Sequence, residues 1–83
     1  MRLAPGNPSL AITLHSLAGL LRDEGKLSEA EAAYRRALDI RVRALGPAHD
    51  EVLETSTALA AMLRTRGQVR EADSLTTLYA SHR

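Results

Sequence analysis

The chain repeats itself once, at a spacing of 42 residues. Laying residues 1–41 on residues 43–83 makes eleven positions identical: Leu3/Leu45, Pro5/Pro47, Thr13/Thr55, Leu17/Leu59, Ala18/Ala60, Leu21/Leu63, Arg22/Arg64, Gly25/Gly67, Glu29/Glu71, Ala30/Ala72 and Arg41/Arg83. Others agree in kind, among them Leu10/Val52, Leu20/Met62 and Leu27/Val69. A period between 20 and 50 residues is the signature of stacked units that cannot bury their apolar faces alone. Such stacks usually present a surface to another macromolecule.

Composition narrows the building material. Of 83 residues 45% are hydrophobic, but aromatic residues make up 2%, with no Trp and no Phe. The core must therefore be built from Leu and Ala, which favours close helix packing over a sandwich of strands. No segment alternates apolar and polar residues over a useful length. A chain of this size buries roughly 60–65% of its unfolded surface, enough for one small domain. Net charge is +1, too small to draw the protein onto nucleic acid or an anionic membrane. There is no Cys, which removes disulfides and thiolate chemistry. Met1-Arg2-Leu3-Ala4-Pro5 lacks the apolar core of a signal peptide, and no run reaches the ~18 apolar residues of a membrane span. The expectation is a cytoplasmic protein.

Punctuation divides the chain into four helices. Asn7-Pro8 opens the first, with Asn as cap and Pro at the first helical position. Leu10, Leu14, Leu17, Ala18 and Leu21 form its apolar stripe, and Gly25 ends it. Ser28 and Glu31 read as a capping box for the second helix, which continues through Ala30, Tyr34, Ala37, Leu38 and Leu45. Glu31–Arg35 and Arg35–Asp39 are four-residue charge pairs on it, and Arg41 and Arg43 suit the negative end of its dipole. Gly46-Pro47 stops it. His49 or Asp50 starts the third helix, which carries Val52, Leu59, Ala60 and Leu63 to Gly67. The fourth runs from about Val69 to Ala80 with Ala72, Leu75, Leu78 and Tyr79. Short loops make each pair an antiparallel hairpin.

Leu17-Ala18, Leu21, Gly25, Leu27, Ala30, Tyr34 and Ala37-Leu38 together resemble a tetratricopeptide repeat. The period of 42 residues and the turn Leu45-Gly46-Pro47-Ala48-His49-Asp50 are similar to the kinesin light chain subfamily. So are Gly25-Lys26-Leu27-Ser28-Glu29-Ala30-Glu31 and Leu38-Asp39-Ile40-Arg41. The resemblance implies an all-α fold of two helix-turn-helix hairpins, a short right-handed solenoid whose first helices line a concave face. It divides the chain into residues 1–6, the end of an upstream repeat, then repeat one (7–48) and a terminal, degenerate repeat two (49–83). Thr76 and Tyr79 stand where Tyr34 and Ala37 stand in repeat one, which marks the end of a stack. Where that subfamily carries paired Asn residues on the first helix, this chain has His15-Ser16 and Thr57-Ala58, a departure in the groove itself.

The function this implies is a non-catalytic protein-interaction module with no cofactor. Its groove positions are Ile12, His15, Gly19 and Arg22, with their counterparts Glu54, Thr57, Ala61 and Arg64. Arg22 and Arg64 recur in register, and a guanidinium matches a carboxylate, so an acidic peptide or protein is the expected partner. Two other classes compete: a sensor or scaffold segment of a larger signalling ATPase or regulator, and a helical-repeat nucleic-acid binder. The near-zero net charge argues against the latter. His15, His49 and His82 have no metal-ligand spacing, Asp23-Glu24 point apart on a helix, and no Ser has a local base. Two repeats are fewer than such stacks usually need. Exposed ends (Leu10, Leu20 and Ala33; Leu75 and Leu78) therefore suggest a homo-oligomer formed by stacking or by exchange of the fourth helix.

Overall fold

Three glycines set the path of the backbone. The computed structural model describes residues 7–80, in which the helices are α1 (Pro8–Asp23), α2 (Leu27–Leu45), α3 (Asp50–Thr65) and α4 (Val69–Ala80), with no strand among them. Gly25 and Gly67 take φ of 81° and 83°, a region costly for residues with a Cβ. Each lets the chain close its helix in the same way. Gly25 N–H donates to the Arg22 carbonyl and Lys26 N–H to Leu21, while Gly67 donates to Arg64 and Gln68 to Leu63. Gly46, at φ 88°, turns the chain between the hairpins. Residues 1–6, the expected upstream remnant, lie outside the described residues.

Caps follow the sequence at two starts and depart from it at a third. Asn7 Oδ1 accepts from Ser9 N–H at 2.7 Å, and His49 Nδ1 accepts from Glu51 N–H at 3.1 Å. The capping box expected at Ser28 and Glu31 does not form. The turn around Gly25 feeds the chain straight into α2, so Lys26 is the cap residue and its carbonyl accepts from Ala30 N–H. Ser28, displaced into the helix, instead accepts from Arg66, as does Glu31 at 2.7 Å. Arg35 pairs with Glu31 as expected but takes Glu71 of α4 as its second partner at 2.6 Å, leaving Asp39 to Arg43. The second repeat thus competes successfully for charges that sequence spacing had assigned within one helix.

Helices pack in series, α1 on α2, α2 on α3 and α3 on α4. Small residues permit it. Ala18, Ala30, Ala60 and Ala72, the two matched pairs of the repeat, are all 0–1% exposed, and Tyr34 fills the space between them. They share one core with Leu38, Val52, Leu59, Met62 and Leu63. A smaller cluster of Ala11, Leu14, Ala37 and Ile40 closes the other end of the first hairpin. Ala33, expected at an exposed end, is buried, whereas Leu17, expected in the buried stripe, is 44% exposed. Its counterpart Leu59 is fully covered.

Arg41 is the largest departure. Read from the sequence as a charge suited to the end of the helix dipole, it is 5% exposed and joins α2 to α3. Its Nη1 donates to Thr55 Oγ1 at 2.8 Å and to the Glu51 carbonyl at 3.2 Å, and Nη2 lies 3.7 Å from the Glu51 carboxylate. A buried guanidinium with a partner removed costs more than the contact itself is worth. Thr55→Val should lower the unfolding free energy by about 1–3 kcal/mol and Arg41→Ala by about 2–4 kcal/mol. The double variant should lose less than the sum by about 1 kcal/mol, because one interaction is shared. Urea unfolding of the four chains tests this, and strictly additive losses would show that the two residues act independently.

Candidate functional site on the first helices of the two hairpins

All eight expected groove residues lie on α1 or α3, and none is buried. They alternate along each helix with residues that are: Leu14 and Ala18 in α1, Leu59, Ala60 and Leu63 in α3. One side of each helix therefore anchors the hairpin and leaves the other side open. The structure brings His15 and Glu54 together, with Nε2 3.5 Å from Oε1. Ile12 on α1 is 55% exposed, and Thr57 and Ala61 on α3 are exposed as well. Gly19 has ordinary helical φ, and a Cβ there would meet only the Tyr34 hydroxyl at 3.8 Å. Its small size keeps the surface open without being demanded by packing.

Arg22 and Arg64, identical in sequence, do different things. Arg22 Nη1 donates to the Tyr34 hydroxyl at 3.2 Å, and Nε and Nη2 each reach Asp23 at a long 3.4 Å. The position equivalent to Tyr34 in repeat two is Thr76, whose hydroxyl donates to the Ala72 carbonyl of its own helix. Too short to reach α3, it leaves Arg64 to Asp73, an ion pair of 2.9 Å. Recurrence in register thus does not give two equal guanidinium groups. One is propped by a neutral phenol and the other is already neutralised by a carboxylate.

His15 sits at the centre of the face. Its Nδ1 lies 3.2 Å from Thr55 Oγ1, the hydroxyl that also receives Arg41. Its ring meets Tyr34 edge to face, with centroids 5.4 Å apart. Desolvation is the main cause that holds its pKa below the usual 6.5, Arg41 and Arg22 add to the effect, and Glu54 opposes it. The sequence did not flag Tyr34, Arg41, Thr55 or Asp73 as members of this site. The Thr13/Thr55 identity and the Tyr34/Thr76 mismatch were the signals present.

The tetratricopeptide-repeat family model matches residues 9–75 of the chain, from the second residue of α1 into α4 and across the three turns between the helices. The protein belongs to the tetratricopeptide repeat family, whose members generally mediate protein–protein interactions. A search of curated proteins found no match. Among the described residues no helix is long and apolar enough to cross a membrane, and no cluster of three or more His, Cys, Asp or Glu could bind a metal ion.

The neutral ring of His15 has a measurable consequence. With a folded-state pKa below 6.5, the unfolded chain binds the proton more readily, so stability rises with pH. The contribution is complete above pH 6.5 and is lost as pH falls through the folded-state value. Thermal midpoints between pH 7.5 and 5 should therefore fall more steeply for the native chain than for His15→Gln. Equal slopes would mean that burial does not penalise the imidazolium.

Proposed function

We propose that the chain is a non-catalytic binding module that takes an extended, acidic peptide segment across the open face of α1 and α3, with Arg22 as its carboxylate anchor. The observation that carries this reading is the state of Arg22. Its side chain is 46% exposed and oriented by the Tyr34 hydroxyl, and it meets Asp23 only at 3.4 Å. A guanidinium already held in place loses less freedom on binding a carboxylate. Ile12 and Ala61 leave apolar surface open elsewhere on the same two helices. Arg64 is a weaker site because an incoming carboxylate must displace Asp73. The 42-residue period and the Leu45–Asp50 turn favour kinesin light chain-like repeats in a cytoplasmic scaffold, though His15-Ser16 and Thr57-Ala58 imply a different hold on the peptide.

The test is an array of extended nine-residue peptides, each with one or two Asp or Glu, probed with the full chain. Arg22→Glu should weaken the best binders about ten-fold or more, given about 1.5–3 kcal/mol per charge-assisted contact and about 1.4 kcal/mol per decade. Arg64→Glu should have a smaller effect. Asp73→Asn frees Arg64 and should strengthen binding of peptides with two acidic residues. All variants are checked for an unchanged helical spectrum. If Arg22→Glu binds the same peptides with the same affinity, the face does not work through this arginine and the reading fails.

A further inference from the structure

One hydroxyl in the candidate site has more neighbours than it has protons. Thr55 Oγ1, fully buried, lies 2.8 Å from Arg41 Nη1, 3.2 Å from the Glu51 carbonyl and 3.2 Å from His15 Nδ1. Arg41 can only donate, so it fills one lone pair. The single hydroxyl proton then goes either to the Glu51 carbonyl or to His15. Neutral His15 settles the choice. Glu54 lies 3.5 Å from Nε2 and favours the proton on that nitrogen, which leaves Nδ1 as an acceptor for Thr55.

A protonated ring fits the same place. With hydrogen on both nitrogens, Nδ1 donates to the second lone pair of Thr55, and the hydroxyl turns its own proton to the Glu51 carbonyl. No heavy atom has to move. Geometry therefore admits the imidazolium, and only burial and charge oppose it. From α2, Arg41 lies on the same oxygen and Tyr34 meets the ring edge to face as a neutral neighbour. From α3, Glu54 attracts the proton, while the Glu51 carboxylate lies 3.7 Å from Arg41. From α1 itself, Arg22 repels it. Arg41 is fixed between the hairpins, but the Arg22 side chain is 46% exposed and open to an anion from outside. An anion there cancels one of the two charges that keep the proton off.

We propose that His15 couples the open face to pH: an acidic peptide held at Arg22 binds together with a proton on the imidazole, and so binds more tightly as pH falls below neutrality. This rests on the peptide-binding reading and adds its regulation. If a bound carboxylate eases proton uptake by His15, protonation strengthens carboxylate binding by the same factor. The gain begins as pH falls through the value the ring has in the complex and levels off below its value in the free chain. Peptide Asp and Glu side chains stay charged until about pH 4. Stability moves the other way, so acid weakens the fold and tightens its ligand. Only the first hairpin carries the device, because the position 42 residues on is Thr57, which does not titrate.

The probe is the tightest binder among His-free, acetylated and amidated nine-residue peptides with two Asp or Glu, measured on the full chain in low salt at pH 7.5 and 5.5. The helical spectrum is checked at both. Affinity should rise about two- to five-fold at the lower pH, a modest coupling between sites because Arg22 is half exposed. His15→Gln should bind equally at the two pH values. In the native chain, the His15 ring resonance, assigned by its loss in His15→Gln, should titrate at higher pH with peptide than without. Affinity that is flat or falls with acid, while Arg22→Glu still weakens binding, would overturn the coupling and leave the peptide reading standing. A rise that persists in His15→Gln would also overturn it, because the proton would then sit elsewhere. Binding at neither pH would overturn both readings.

Discussion

A buried guanidinium holds the two hairpins in register. Arg41 leaves α2, passes out of solvent and ends against α3, where Thr55 and the Glu51 carbonyl receive it. Apolar contact across the same junction is non-directional and would tolerate a shift along the helix axis. Hydrogen bonds to a hydroxyl and a carbonyl one turn apart do not. The neighbouring pairs, Arg66 to Glu31 and Arg35 to Glu71, extend the same constraint toward the other end of α2. Through Thr55 the constraint reaches the open face, because that hydroxyl also lies against His15. The charge that fixes the solenoid is among those that keep the imidazole neutral.

Much of this arrangement could be read from the chain. Four helices, their glycine stops, the Asn7 and His49 caps and the alanine crossings follow from local chemistry repeated twice, and repetition makes each reading check the other. What could not be read was every contact between the repeats. Ser28 and Glu31 have capping-box spacing, yet the turn at Gly25 shifts the cap to Lys26 and Arg66 claims both side chains. Arg35 could pair with Asp39 by spacing, but Glu71 lies closer in the fold. Arg41 looked like a helix-end charge because its burial depends on a neighbour 14 residues away. Local spacing predicts pairs within a helix; it does not rank them against partners that only stacking supplies.

The candidate site shows the same limit in sharper form. Eight positions were placed on the open face by their register alone, and none is buried. Their chemistry was less legible. Arg22 and Arg64 differ because Tyr34 and Thr76 differ, a change on the opposite helix of each hairpin. A repeat duplicates positions, but the work of a side chain depends on its neighbours, and here those have diverged.

The charges not consumed by folding decide how such a module can recognise anything. Among the described residues Arg22, Lys26, Arg35, Arg41, Arg43, Arg64 and Arg66 all have ionic partners, while Arg36 and Arg70 do not. With a net charge of +1 there is little field to steer a ligand from a distance. Recognition must therefore be short-ranged, resting on the few groups whose internal contacts are long or absent. Arg22, which the proposed peptide reading uses, meets Asp23 only at 3.4 Å, and Glu29, of opposite sign, has no ionic partner among the described residues. A surface of mixed charge selects partners by where a charge is left over, because exchanging an internal ion pair for an external one gains almost nothing in water.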